Sequence, residues 1–300
     1  MQPRYINPFT DFGFKKIFGS ANAKDILIDF LNQVLGGEEK IQDLTYNNLE
    51  KLGNSKNDRN SIFDIYCTNE KGENFIIELQ NASQRWLKDR SIFYATYPIQ
   101  EQSVKGKGWD YELKATYTIV IMNFPLMDGD PRYHKVVKLM DTHTNKVFFD
   151  KLCFVYIEIP NFTLELGELN NDFDRWIYVL KNMHRLQDLP DKLRTKIFEK
   201  VFDIAEVSNL SKDEMRAYSK SQKTIWDNYA VMESARLEGM EKGIEKGIEK
   251  GIEKGIEKGK QEGIKIMVLN FHKAGAGIEM ISEASGLSID EINKILAENP

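Results

Sequence analysis

Two cysteines in 300 residues, Cys67 and Cys153, are too few and too far apart for a disulfide framework or a CxxC zinc pattern. Both lie in strand-like stretches and read as buried, reduced thiols. Histidine is scarce too. His134, His143, His184 and His272 are scattered, and none has the i, i+4 spacing of a helical zinc site. No stretch approaches the roughly 20 apolar residues that span a bilayer. The opening MQPRYINPFTDFGFKK carries no apolar run of a signal peptide. A cytoplasmic protein with no membrane partner is therefore expected. Basic charge is lacking as well. The formal net charge is −5, whereas a protein that grips nucleic acid by charge alone is usually basic. Any sequence-independent hold on a polyanion should be weak, unless a metal ion supplies positive charge locally.

What is present is ordinary for a folded chain: 41% apolar residues and 29% charged, with 17 Phe, 12 Tyr and 4 Trp to fill a core. TDFGFKKIF places Phe14, Ile17 and Phe18 on one helical face behind Thr10 as N-cap. Residues 23–35 put Ile26, Leu27, Phe30, Leu31 and Val34 at a 3.6-residue period, and Gly36-Gly37 should stop that helix. Residues 41–49 suggest a first strand. SIFDIYCT at 61–68 and NFIIELQ at 74–80 flank the turn Asn69-Glu70-Lys71-Gly72 and read as a hairpin. Residues 81–102 suit a long helix that Pro98 should kink or end. TYTIVIMN at 116–123 is a near-continuous apolar run, as in a strand covered on both faces. Residues 135–139 and 152–159 look like later strands.

From about residue 170 the pattern turns helical, with Asp191 and Ser211 as candidate N-caps. Helix, strands, helix, strand predicts an α/β sandwich around a mixed sheet. The expected division is an α/β domain over 1–165, a helical extension over 166–238, a repeat over 239–263 and a small helical module over 264–300.

The repeat comprises four copies of GIEK at 243–258, with glycine at every fourth position from Gly239 to Gly263. A four-residue period is close to one helical turn, so each residue type forms a slowly drifting stripe. Each interior glycine costs about 1 kcal/mol relative to alanine, and the i, i+4 neighbours are Glu–Glu and Lys–Lys. A long, marginally stable helix follows, acting as a spacer or as a self-association rod that makes a homo-oligomer; a flexible charged linker is the alternative. Beyond it, GIEMISEASG and LSIDEINKIL have helix–turn–helix spacing, with Ser288 as a cap. Asp290, Glu291 and Glu298 against Lys294 make a poor DNA surface and favour a protein-interaction module.

The chemistry concentrates in IFDIYCTNEKGENFIIELQ, residues 62–80. Glu78 and Gln80 are two apart in a strand and share a face. A hairpin can bring Asp64 beside them. Two carboxylates and an amide oxygen at one sheet end suit Mg²⁺. Spacing alone also allows a bland alternative, in which Glu78 and Gln80 mark a sheet edge that reaches solvent.

NPFTDFGFKKIFG, FDIYCTNEKGENFIIELQ and RWLKDRSIFYATYPIQEQ resemble the PD-(D/E)XK nuclease family transposases, also called the Rpn family of recombination-promoting nucleases. The likeness covers residues 5–160, and the helical continuation with a Gly/Glu/Lys tail is similar too. It implies a restriction-endonuclease-like core and Mg²⁺-dependent cleavage of DNA, with Mn²⁺ as a substitute. Asp64 matches the family's metal-binding Asp and Glu78 its second acidic ligand, with the Leu79 carbonyl assisting. Gln80 stands where most PD-(D/E)XK nucleases have Lys, which fits the E-x-Q form of this branch, and it would position the attacking water. Arg85, Lys88 or Arg90 would replace the missing charge. Asp11 is expected as a further ligand, and Lys15, Lys16, Arg85 and Arg90 as phosphate contacts. Two other functions stay open at this point: a catalytically inactive nuclease fold that binds DNA or protein, and a self-associating structural protein.

Overall fold

A computed structural model describes residues 3–37, 40–47, 50–51, 61–103, 110–126 and 129–298. Two compact units divide the chain, Met1–Trp226 and Asp227–Pro300.

The first helix of unit one, α1 (Asp11–Phe18), starts where Thr10 Oγ1 accepts the Gly13 N–H at 2.9 Å, and it buries Phe14, Ile17 and Phe18. Glycine at 13 is a packing requirement. An added Cβ would lie 2.2 Å from the Asn7 carbonyl oxygen and 2.7 Å from Thr10 Oγ1. Gly13→Ala should therefore lower the melting temperature: overpacking costs about 1–3 kcal/mol, against roughly 1 kcal/mol gained in helix propensity. A thermal melt that rises instead would refute the close approach. In α2 (Lys24–Leu35) all five apolar positions expected from periodicity are buried, and Gly36 at φ 59° closes the helix in the left-handed conformation.

The main sheet contains β1 (Leu44–Tyr46), β4 (Ile65–Asn69), β5 (Asn74–Gln80), β6 (Thr116–Met122), β7 (His134–Asp141) and β8 (Lys146–Glu158), in the order β1-β4-β5-β6-β8-β7. A separate two-stranded ribbon pairs β2 (Glu50–Lys51) with β3 (Ser61–Ile62). Strands β1, β4 and β5 form an antiparallel meander; β5, β6 and β8 run parallel; β7 returns antiparallel along the edge. The sheet is mixed and flanked by helices, as the element order predicts.

Alternation divides the two faces. Phe75 and Ile77 of β5, Ile119 and Ile121 of β6, and Val155 and Ile157 of β8 join one core with α1, α2, α4 (Asp172–Asn182) and α5 (Lys196–Ala205). Trp176 sits fully buried there, its Nε1–H donating to Asp29 Oδ2 at 2.7 Å. This core does not stop near residue 165, because buried residues of α4 and α5 belong to it. The opposite face carries α3 (Leu87–Glu101), which covers Ile76, Val120 and Met122 along with Phe63, Tyr66, Phe154 and Tyr156.

Several elements depart from the sequence expectation. SIFDIYCT is not one strand: the chain bends at Phe63-Asp64 because the Phe63 ring turns under α3 against Tyr94, 5.2 Å between centroids. Helix α3 begins at Leu87 rather than 81, and Pro98 lies inside its last turn without ending it. So near the C-terminus a proline removes one backbone bond and the helix continues to Glu101. The two late strands extend into a long hairpin whose turn is held by Asp141 Oδ1, which accepts the His143 and Thr144 N–H groups. Of the strand expected at 41–49, the described part is Leu44–Tyr46; residues 48–49 fall outside the described residues. Ser211 does cap its helix, exchanging hydrogen bonds with Glu214, whereas Asp191 opens a 3-10 turn and Thr195 caps α5.

The N-terminal segment is stitched to the far end of unit one. Tyr5 bridges Glu206, the Ile6 N–H donates to the Ala205 carbonyl (2.8 Å) and the Val207 N–H to the Arg4 carbonyl (2.9 Å). Arg4 reaches Gln187, Asp188 and Glu206, and the Asn7 N–H donates to the Tyr218 hydroxyl at 2.8 Å.

A single helix, α6 (Lys212–Lys273), carries the repeat. In unit two, α7 (Ile278–Ser285) and α8 (Ile289–Ala297) pack Ile281 and Ile292 on Val268, and Ser288 with Glu291 forms a capping box at the start of α8. Among the described residues, no helix is long and apolar enough to cross a membrane.

Candidate active site

Three elements meet at the C-terminal end of β5. Ile65 of β4 faces Ile77, so Asp64, one residue earlier, lies beside Glu78. The bend at Asp64 frees its carboxylate to accept the Leu79 N–H at Oδ2, 2.8 Å away. Leu79 itself packs on the α1/α2 face, leaving Glu78 and Gln80 on the α3 face. At the strand end, Asn81 Nδ2–H donates to the Phe9 carbonyl at 2.6 Å and so ties β5 to the turn before α1.

Both Glu78 and Gln80 are buried. Glu78 Oε2 accepts from Gln80 Nε2 (3.3 Å) and from Arg90 Nη2 (3.4 Å). Its Oε1 is buried with no hydrogen-bond partner, and so is Thr118 Oγ1; Glu78, Gln80, Arg90, Tyr94 and Thr118 line one small cavity beneath α3. An unpaired buried carboxylate oxygen is expensive. The consequence is electrostatic. Burial, then the neighbouring Asp64 charge, pushes the Glu78 carboxyl up to about 8, against the opposing pull of Arg90 and the hydrogen bond from Gln80. Burial also raises Asp64, opposed by the Leu79 N–H and by Lys15 and Arg90, with Asp11 adding to the rise. Burial raises both acids and Asp64 adds to the rise of Glu78, so Arg90 compensates the Glu78 carboxylate only in part.

The remaining expected residues fall in different places. Asp11 and Lys15 stand close enough to act on Asp64, yet they pair with each other at 2.6 Å on the exposed side of α1. Among the described residues, no three His, Cys, Asp or Glu side chains are grouped to hold a metal ion, so Asp11 does not join Asp64 and Glu78 in one ligand set. Lys16 is ion-paired to Glu214 of α6 rather than left open to a phosphate. Arg85 is exposed and lies over the Trp86 ring, 4.9 Å from its centroid. Lys88 is exposed as well. Arg90, one helical turn into α3, is the cation that reaches the site; besides Glu78 it binds Gln84 Oε1 (3.1 Å) and lies 4.9 Å from the Tyr94 ring centroid.

A second buried carboxylate went unnoticed in the sequence. Glu158 ends β8 and pairs with the buried Lys135, and its Oε2 accepts from the Leu126 N–H (3.1 Å) and Asn161 Nδ2 (2.9 Å). By register it lies level with Gln80, with Met122 on the strand between them. The signal was available: LCFVYIEIP is an apolar strand broken by a glutamate, just as NFIIELQ is.

The donor set of Asp64, Glu78 and the Gln80 amide is hard oxygen, which suits a divalent cation such as Mg²⁺. The unpartnered Glu78 Oε1 and the Asp64 charge beside it fit such an ion. The sequence model of the PD-(D/E)XK nuclease family transposases matches residues 8–235. No curated protein and no solved structure matches the chain.

Proposed function

We propose, because the chain belongs to the PD-(D/E)XK nuclease family transposases, that it is a divalent-metal DNA endonuclease acting at the C-terminal end of β5. Family membership carries the nuclease character and the DNA substrate. The observation that carries the site is the adjacent Asp64–Glu78 pair, both carboxyls raised by burial and Glu78 Oε1 left without a hydrogen-bond partner. Asp64 and Glu78 would hold Mg²⁺ or Mn²⁺, which when bound supplies positive charge to the attacked phosphate and to the water that attacks it. The Leu79 N–H keeps the Asp64 carboxylate oriented. Gln80 can hold a water by hydrogen bonding but brings no charge. Arg90 brings that charge from α3, in place of the lysine found at position 80 in most PD-(D/E)XK nucleases. Lys15, at the mouth of the site, can contact a phosphate by leaving Asp11, an exposed pair of small net value. Phosphodiester hydrolysis by in-line attack follows, and breakage of this kind would promote recombination in the cytoplasm, as expected of an enzyme of mobile-element ancestry.

Plasmid cleavage by the full chain with Mg²⁺, Mn²⁺, Ca²⁺ or chelator tests the proposal, beside Asp64→Ala. Nicking with Mg²⁺ or Mn²⁺ that disappears in chelator and in the variant supports it. Equal cleavage by Asp64→Ala refutes the site, and DNA binding without cleavage under any ion identifies an inactive nuclease fold. Within the active reading, Arg90→Ala should slow single-turnover cleavage by about 10²–10³, the usual loss for a preorganised donor, whereas Arg85→Ala should change it little. The reverse ranking would assign the charge to Arg85.

A further inference from the structure

Helix α3 opens on a tryptophan where a capping residue would stabilise it. Trp86 stands at the N-cap and makes no side-chain cap hydrogen bond. At the same position α1, α4, α5 and α8 use Thr10, Asn171, Thr195 and Ser288. Ser, Thr, Asp and Asn are favoured there because their oxygens accept a first-turn N–H, which an indole cannot do. Trp86 does not serve the core either. It is 64% exposed, and Ile92 and Phe93 further along α3 are 56% and 50% exposed. Single exposed apolar residues are ordinary on a protein surface. What distinguishes Trp86 is its place.

Leu87, the next residue, lines the cavity with Glu78, Gln80 and Arg90. The Arg90 N–H donates to the Trp86 carbonyl at 2.9 Å, and Arg90 Nη2 reaches Glu78 Oε2 at 3.4 Å. The indole is therefore one helical turn from the cation that touches the site. Arg85 Cζ lies over its ring, 4.9 Å from the centroid. Between Gln84 and Arg90, the basic residues Arg85, Lys88 and Arg90 stand against Asp89 alone, in a chain whose formal net charge is −5. The patch is locally complementary to a polyanion. Phe93, seven residues on, lies about 10.5 Å further along the same side of α3. The nearby lysines are already paired, Lys15 with Asp11 and Lys16 with Glu214. A strand held here must gain affinity from something besides charge, and a base stacked on an aromatic ring provides it. In a duplex both faces of each base are covered by its neighbours. Drawing one out costs free energy, least for a base that is already unpaired.

We propose that Trp86 stacks an unpaired base of the DNA strand cut beside Glu78, a role that rests on the cleavage site proposed above. The preferred substrate is then single-stranded DNA, or duplex DNA with unpaired nucleotides. Phe93 extends the platform toward a second base. Every base presents a π-face, so the contact carries no sequence preference.

Fluorescence anisotropy of the full chain tests this, with a dye-labelled oligothymidylate and the same strand annealed to oligoadenylate. Both titrations are run in chelator, so that binding is read apart from cleavage. The wild type should bind the single strand more tightly than the duplex. Trp86→Ala should weaken single-strand binding by about 5–100-fold, the worth of one stacked base, and duplex binding far less. Trp86→Phe should recover most of the affinity. Tryptophan fluorescence should be quenched by the single strand in the wild type and less so in Trp86→Phe, a readout that decides the matter even if Trp86→Ala misfolds. The indole carries no charge, so the slope of log Kd against log salt should be the same in the wild type and Trp86→Ala. Equal affinity of the wild type for both forms of DNA, or unchanged single-strand affinity in Trp86→Ala, would overturn the platform and leave the patch to a protein partner. The platform and the cation site fail separately. Stacking without Mg²⁺-dependent nicking would remove the cation site alone, and nicking by a chain whose single-strand affinity ignores Trp86 would remove the platform alone.

Discussion

Glu78→Gln removes cleavage yet leaves the metal-free protein at least as stable as the wild type. Both halves come from the same oxygen atoms. A bound cation stabilises a phosphoryl transition state by several kcal/mol, and about 1.4 kcal/mol is a factor of ten. Losing one of two carboxylate ligands should therefore cost on the order of 10³ in rate. Stability moves the other way. The Glu78 carboxyl is buried, stands beside Asp64 and has one oxygen without a partner. A neutral amide of the same shape avoids the desolvation of a charge and ends the repulsion with Asp64. Asp64→Asn should lose activity similarly while keeping an oxygen for the Leu79 N–H. Single-turnover nicking and thermal melts in chelator on the same preparations read both effects. Cleavage within tenfold of wild type, or a variant that melts well below it, would remove Glu78 from the site.

In chelator, the stability of the wild type should fall as pH rises from about 4.5 to about 8, and Mg²⁺ or Mn²⁺ should restore it. The sign follows from the Glu78 carboxyl, raised from 4.5 to about 8 in the folded chain. Between those values the folded state binds more protons than the unfolded one, so stability declines as pH climbs through the window. Asp64 is raised as well and acts in the same direction. His134 and His184 oppose them, since burial holds both imidazoles below their ordinary value. The difference between wild type and Glu78→Gln cancels the histidines and isolates the carboxylate contribution. At a hundredfold excess over its Kd an ion adds about 2.7 kcal/mol, or roughly 5–10 °C for a unit of this size. The ion should help more at pH 8 than at pH 5, because it competes with protons for the same oxygens. A melting temperature indifferent to both ions at pH 8 would contradict a cation site at Asp64 and Glu78.

Local chemistry wrote most of the scaffold visibly into the chain. The α2 face, its glycine stop, the turn at Gly72 and the bounds of β5 were legible because each depends on neighbours within a few residues. The same holds for Asp64, Glu78 and Gln80 as a group, since a hairpin register and a two-residue period place them. Long-range partnerships were not legible. Nothing near Lys16 in sequence announces Glu214, and that pairing removes Lys16 from the expected phosphate contacts. Choosing Arg90 over Arg85 required the start of α3, which begins at Leu87 and so fixes which residue turns inward. The β7–β8 hairpin was underestimated because its outer half exposes apolar residues, Phe148 at 80%. There the alternation that normally marks a half-buried strand is missing.

The stitching of residues 4–7 to residues 187–218 sets the timing of assembly. Arg4 and Glu206 are 202 positions apart. At roughly 5–20 residues per second a ribosome needs on the order of 10–40 s to make that stretch. Until Tyr218 emerges from the exit tunnel, α1 and its turn lack the clasp that fixes them beside β5. A nascent chain therefore carries both acids of the pair for many seconds before the segments that hold α1 in place have been made.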